Sequence, residues 1–221
     1  MKSYFIKTPK FISSFYKNYI WHFKTDKKEL YLTFDDGPTP KVTEFVLDTL
    51  SKFDAKATFF CIGKNIKQHP KLFQKIINEG HSIGNHTQNH LNGWKTSTAN
   101  YINNVEQCQF NIQHSLSVRA ESRTNIQHSK LFRPAYGKIK ARQAKILIKK
   151  GYKIMMWSIL SGDFDKNISI ETCLNNVIIN TEKGAVIVFH DSEKAFKNLK
   201  YTLPKVLEYY RNKGFTFKKI I

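Results

Sequence analysis

Two adjacent carboxylates, Asp35 and Asp36, stand between an apolar run and a Gly-Pro turn in Thr33-Phe34-Asp35-Asp36-Gly37-Pro38. Neighbouring side chains on extended backbone point to opposite sides, so the pair cannot act as twins unless the turn re-aims one of them. A division of labour, one metal ligand and one base, is the chemistry such a pair suits. Taken singly, either Asp is more often the cap of the helix that follows Pro38. Only 17 Asp and Glu stand against 36 Lys and Arg, which makes an acidic pair on an apolar segment conspicuous.

His86 and His90 are four residues apart in His86-Thr87-Gln88-Asn89-His90. On a helical turn they would face one way and could grip one divalent ion. HxxxH alone is weak, since surface helices produce it by chance and six of the 8 histidines lie elsewhere. Position lifts it: the pair follows a short strand two units after the Asp pair. Arg133, in Leu131-Phe132-Arg133-Pro134-Ala135-Tyr136-Gly137, sets a guanidinium at a strand end, where it can hold a carboxylate ionised. In isolation the same motif reads as a surface turn with Arg in water. His190 ends the apolar run Ile187-Val188-Phe189, and Asp163 lies in Trp157-Ser158-Ile159-Leu160-Ser161-Gly162-Asp163-Phe164-Asp165. A carboxylate that bonds an imidazole fixes its tautomer and raises its pKa, which equips a His as a general acid near neutral pH. By base rate, a His on an apolar strand is more often a satisfied core residue.

The elements that must position these groups alternate as βα units, the signature of a parallel sheet. Strands are expected at Tyr31 to Phe34, Ala57 to Ile62, Ser82 to Gly84, Leu131 to Arg133, Lys153 to Ser158 and Ala185 to Phe189. Helices are expected around Lys41 to Lys52, Pro70 to Glu79, Ala99 to His114, Ala141 to Lys149, Ile170 to Asn180 and Thr202 to Lys213. Every suggestive residue falls just after an apolar run, at the carboxyl edge where parallel α/β folds build sites. Ser115 to Ser129 is polar, lacks either period, and reads as a surface insertion.

The 221 residues, 41% hydrophobic and 14% aromatic, fit one well-cored domain rather than a disordered chain. No apolar run approaches the ~18 to 20 residues of a membrane span. The formal charge of +19 favours anionic polymers, but the lysines are scattered and form no nucleic-acid arm. Cys61, Cys108 and Cys173, odd in number and widely spaced, read as buried free thiols. Residues 1–28 form a basic, aromatic segment (Phe5, Phe11, Phe15, Tyr16, Tyr19, Trp21, Phe23) without a cleavable signal pattern, so the cellular location stays open. Packing against the domain is the commoner fate of such a strip, an interfacial segment the rarer one.

Jointly, TFDDGP, HTQNH, RPAYG, SGDF and VFHD resemble the motifs of the polysaccharide deacetylase family with its NodB-like domain, also called carbohydrate esterase family four. The resemblance runs from about Tyr31 to Phe217 and implies an α/β fold, a distorted (β/α) barrel, over residues 29–221. It implies a monomer that removes acetyl groups from an N-acetylated amino-sugar polymer with one divalent cation, zinc or cobalt. Matched residue by residue, Asp36, His86 and His90 would be the metal ligands and Asp35 the general base. His190 would be the general acid, Arg133 would orient Asp35, and Asp163 would orient His190. The Tyr136 backbone N–H would help hold the oxyanion, and Phe164 and Val188 would line the slot for the acetyl methyl. Four lining positions depart from the family pattern: Ala135 for a proline, Phe164 for a tryptophan, Leu160 for an acid sometimes present, and Val188 for a leucine. They bear on substrate fit, not on proton or metal chemistry. The partner implied is an acetylated glycan, including an anionic cell-envelope polymer, and no nucleic acid. The rivals are the same chemistry on an O-acetyl ester, and a silent glycan- or metal-binding domain, which would have no use for both a base and an acid.

Overall fold

A computed structural model describes residues 4–117 and 130–221. Its strands are β1 (Tyr19–Ile20), β2 (Glu29–Asp35), β3 (Thr58–Cys61), β4 (Ser82–Asn85), β5 (Leu131–Phe132), β6 (Lys153–Met155), β7 (Ile159–Leu160), β8 (Val186–His190) and β9 (Thr216–Phe217). They pair in parallel in the order β1-β6-β5-β4-β3-β2-β8-β7, with β9 on β2. The sheet curls into a distorted (β/α) barrel whose outer face carries α1 (Lys10–Phe15), α2 (Val42–Lys52), α3 (Gly63–Gln68), α4 (Pro70–Asn78), α5 (Thr98–Ser117), α6 (Ala141–Lys149), α7 (Ile170–Ile178) and α8 (Phe196–Asn212). The two edge strands do not pair with each other. The N-terminal chain spans that seam: Tyr19 pairs with Ile154 on β6, while Lys7 bridges Ile159 on β7 and Leu160 N–H donates to the Ile6 carbonyl at 2.8 Å.

Alternation along each strand decides which side chains meet the helices and which point inward. On β2, Leu30, Leu32 and Phe34 join the main core with Phe59, Ile187 and Phe189, and the Phe34 ring stacks on Phe59 at 5.0 Å and on Phe189 at 6.0 Å. Each buried Phe contributes roughly 1.5–3 kcal/mol. Thr33 and Asp35 therefore face inward, as do Val188 and His190 on β8. Cys61, Cys108 and Cys173 are buried free thiols. Among the described residues no helix is long and apolar enough to cross a membrane. Tyr19, Trp21 and Phe23 pack against buried clusters, whereas Phe5, Phe11, Phe15 and Tyr16 are exposed.

Several expected bounds shift for physical reasons. The strand expected over Lys153 to Ser158 stops at Met155, because the Met155 and Met156 carbonyls accept from the Arg133 guanidinium. Asp163 consequently follows a separate short strand, β7. The helix expected from Thr202 begins at Phe196 and runs through Pro204, held by the buried Asn198, Leu199, Thr202, Leu203, Val206, Leu207 and Tyr210. Helix α5 extends to Ser117, three residues into the expected insertion, and residues 118–129 of that insertion lie outside the described residues.

Candidate active site

Strand register assembles the site before any side chain is considered. Asp35 is the partner of His190 across the β2–β8 pair, and Cys61 is the partner of Asn85 across β3–β4. The next amide beyond each ladder is also tied: His86 N–H donates to the Cys61 carbonyl at 3.0 Å and Arg133 N–H to the Asn85 carbonyl at 3.0 Å. Asp35, His86, Arg133 and His190 thus project from one carboxyl edge of adjacent strands.

The two aspartates diverge through backbone geometry. Asp35 ends β2 in extended form, while Asp36 sits at φ 82, in the left-handed region. That twist turns the second carboxylate toward His86 and His90, so two side chains that alternation would send to opposite sides share one mouth in different positions. The turn is locked from below by Asp191, a residue whose role the sequence did not reveal. Its carboxylate accepts from Gly37 N–H at 3.0 Å and from the Thr43 hydroxyl at 2.5 Å, and a Cβ on Gly37 would come within 1.9 Å of it. Asn65 adds a third tie, donating to the Asp36 carbonyl at 2.7 Å.

His86 and His90 lie in a loop, not on the expected helical turn. Thr87 and His90 both have positive φ, 67 and 55. Side chains satisfy the loop amides instead: Asn85 accepts from Thr87 N–H, Asn104 from Gln88 and Asn89 N–H, and Thr87 from Leu91 N–H. The spacing still brings the imidazoles together, with centroids 5.1 Å apart. His86 Nδ1 donates to the Arg133 carbonyl at 2.8 Å, since a carbonyl can only accept. Its Nε2 is the ring nitrogen that faces Asp36.

One Asp36 oxygen, Oδ1, is buried and has no hydrogen-bond partner among the described residues. It lies 3.2 Å from His90 Nε2 and 3.7 Å from His86 Nε2, and one ligand atom from each residue falls within 4.8 Å of the others. Burial, and after it the neighbouring His86, lower the His90 pKa to about 4. Two imidazoles and an orphaned carboxylate oxygen aim an N, N, O donor set at one place, so these residues fit a divalent cation.

Arg133 is fully buried, and its guanidinium donates to Asp35 Oδ1 and Thr33 Oγ1 at 2.7 Å each, and to the Met155 and Met156 carbonyls at 3.3 and 3.0 Å. The cation also lies 4.1 Å over the Phe60 ring. Burial of Asp35 works against ionisation, but Arg133, then His86 and His190, outweigh it and hold the carboxyl below its ordinary pKa. Across the site, Asp163 accepts from both His190 N–H at 2.7 Å and His190 Nδ1 at 2.8 Å. Burial disfavours charge on this imidazole, yet the Asp163 carboxylate more than offsets it and raises the pKa from 6.5 to about 9. His190 therefore carries a proton on Nε2 at neutral pH.

Around these groups, Tyr136 has φ 61, and its amide finds no acceptor among the described residues. Its exposed ring lies 4.5 Å from that of His90. Phe164 meets His190 edge-on at 5.0 Å, and buried Val188 shares the inward face of β8 with His190. All ten residues singled out in the sequence thus lie on or beneath one barrel mouth. A cavity of about 540 Å³ lined by Lys7, Trp21, His22 and Glu182 lies away from them.

The polysaccharide deacetylase family model matches residues 22–155. A peptidoglycan-N-acetylglucosamine deacetylase of Bacillus cereus is 31% identical over 198 residues, covering 89% of this chain and 88% of that protein. Other relatives of that name are longer, and the chain spans 66% of one from Bacillus cereus and 39% of one from Listeria monocytogenes. A crystal structure of a peptidoglycan N-acetylglucosamine deacetylase bound to 4-naphthalen-1-yl-N-oxidanyl-benzamide superposes with TM-score 0.84 at 32% identity, covering 96% of this chain and 95% of that one. A CE4 family pseudoenzyme from Bacillus anthracis, at 21% identity and TM-score 0.77 over 91% of this chain and 66% of that one, shares the fold.

Proposed function

The chain belongs to the polysaccharide deacetylase family, and from that premise we propose that it is a metal-dependent amide hydrolase releasing acetate from N-acetylated amino sugars of a glycan. The observation that carries this reading is the Asp35–His190 pair: one group is held ionised by Arg133, the other protonated by Asp163, side by side in one strand register. A silent glycan- or metal-binding domain would have no use for that opposition.

A divalent cation on Asp36, His86 and His90 would supply Lewis acidity, polarising the acetyl carbonyl and lowering the pKa of a water from ~15.7 toward 7. Asp35 takes a proton from the water whose oxygen attacks the carbonyl carbon. As the C–N bond breaks, His190 gives its Nε2 proton to the departing nitrogen, so acetate and a free amine result. Tyr136 N–H, turned outward by the left-handed backbone, donates to the acetyl oxygen. Phe164 and Val188 wall the slot for the methyl group. Arg133 and Asp163 move no proton; each fixes the charge and direction of the group that does.

An amide nitrogen leaves only with a proton, whereas an ester alkoxide leaves far more readily, so an imidazole kept charged to about pH 9 is matched to the amide. The names of the relatives favour a cell-wall glycan, and the +19 formal charge suits an anionic envelope polymer. Acetate release from peptidoglycan strands, chitin oligosaccharides and acetylated xylan tests the assignment. Faster release from the N-acetylated substrates is expected; release from xylan alone would replace the amide with the ester.

The general acid acts only while protonated, so turnover falls as pH rises through the His190 pKa. Asp163→Asn removes the charge that raises it. The basic limb of the kcat/KM profile is therefore expected to move to lower pH, with kcat reduced at every pH because the imidazole loses its fixed tautomer. An unmoved limb in Asp163→Asn would dissociate it from His190.

A further inference from the structure

The wall of the acyl slot is tied to the start of the chain. Tyr4 donates its hydroxyl to Asp165 Oδ2 at 2.6 Å, and its ring packs on Phe164 at 5.2 Å with a tilt of 57°. Phe164 in turn stands edge-on to His190, 5.0 Å away at 72°. The turn between Ser161 and Asp165 leaves little slack for this contact: Gly162 has φ 77, and a Cβ there would lie 3.3 Å from the Tyr4 hydroxyl. Tyr4 itself is anchored, because Ile6 and Lys7 continue directly into the bonds that seal the seam at β7.

We propose that Tyr4 is a positioning residue that sets the width of the acyl slot, holding Phe164 against His190 through the paired grip on the Phe164 ring and the Asp165 carboxylate. This rests on the deacetylase reading above and goes beyond it, since it assigns acyl selectivity to a residue outside every motif of the site. Lys194 offers Phe164 weaker support, its Nζ lying 5.6 Å from the ring centroid. Asp163 and Asp165 are separately fixed, their carbonyls accepting from Asn198 at 3.1 and 3.2 Å. Loss of Tyr4 therefore frees the Phe164 ring more than the acid's own support.

The test compares wild type, Tyr4→Phe and Tyr4→Ala on N-acetyl and N-propionyl glucosamine oligomers, with bound metal and melting temperature measured on each sample. Tyr4→Ala is expected to lower kcat/KM for the acetyl substrate by up to ~10²-fold, the scale of a ~1 Å misplacement caused by a residue away from the chemistry. The propionyl-to-acetyl ratio should rise, because the slot widens. Tyr4→Phe keeps the ring and should return most of the selectivity. A readout independent of turnover is the NMR shift of the His190 ring protons, which feel the Phe164 ring current and should move in Tyr4→Ala. An unchanged selectivity ratio together with unmoved His190 shifts in a folded Tyr4→Ala would overturn the proposal. If wild type hydrolyses neither substrate, the deacetylase reading fails instead, and the His190 shifts alone decide whether Tyr4 positions Phe164.

Discussion

Asp35→Asn is expected to lose activity by ~10² to 10⁴ or more, the range typical of general-base catalysis, while keeping its metal. Asp35 is not among the three residues that converge as candidate ligands, so metal content by elemental analysis should match wild type. The fold should persist, because the amide oxygen of Asn still accepts from Arg133 and that guanidinium keeps Thr33 Oγ1 and the Met155 and Met156 carbonyls. Some stability is lost, since a fully buried cation loses its counter-charge, and a lower melting temperature is part of the prediction. Near wild-type turnover at full metal occupancy would show that another group takes the proton.

The second large effect separates the neighbouring carboxylate. Asp36→Asn and His90→Ala are each expected to weaken metal binding more than ~100-fold, beyond what loss of an outer-shell partner costs, and to lose activity in proportion. Removing a ligand leaves two lone-pair donors where three converge. His90→Ala is the cleaner variant, because His86 also bonds the Arg133 carbonyl and its loss disturbs the support of Asp35. His69→Ala, at the junction of α3 and α4, should retain metal. Isothermal titration with zinc into stripped protein reads both outcomes without recourse to turnover.

Motif chemistry was more legible than geometry. A division of labour between Asp35 and Asp36 was expected from strand alternation, but the different placement of the two carboxylates rests on φ 82 at Asp36 and on Gly37, Thr43 and Asp191 closing around the turn. The HxxxH spacing suggested a helical turn because period 3.6 is a local signal. The loop that actually presents both imidazoles is stabilised by Asn104 on α5, a contact across 15 and 16 residues that no short window contains. Expected strand Lys153 to Ser158 ran too long for a related reason, since Arg133 takes its last carbonyls from outside the segment. The helix expected from Thr202 missed the first turns of α8, which burial of Asn198 and Leu199 holds to the core. Tyr4 was illegible altogether, being 161 positions from Asp165. Local patterns reveal which residues can do chemistry, whereas long-range contacts decide where they point.

Hydrolysis of an acetylated amino sugar at the proposed Asp36, His86 and His90 cation site stands or falls on acetate release by a single preparation in three states. Acetate released from an N-acetylglucosamine polymer is followed on a single preparation as isolated, after complete chelation, and after zinc or cobalt is returned. Acetate is expected in the first state, none in the second, and recovery in the third. Undiminished acetate release in the metal-stripped protein would contradict it.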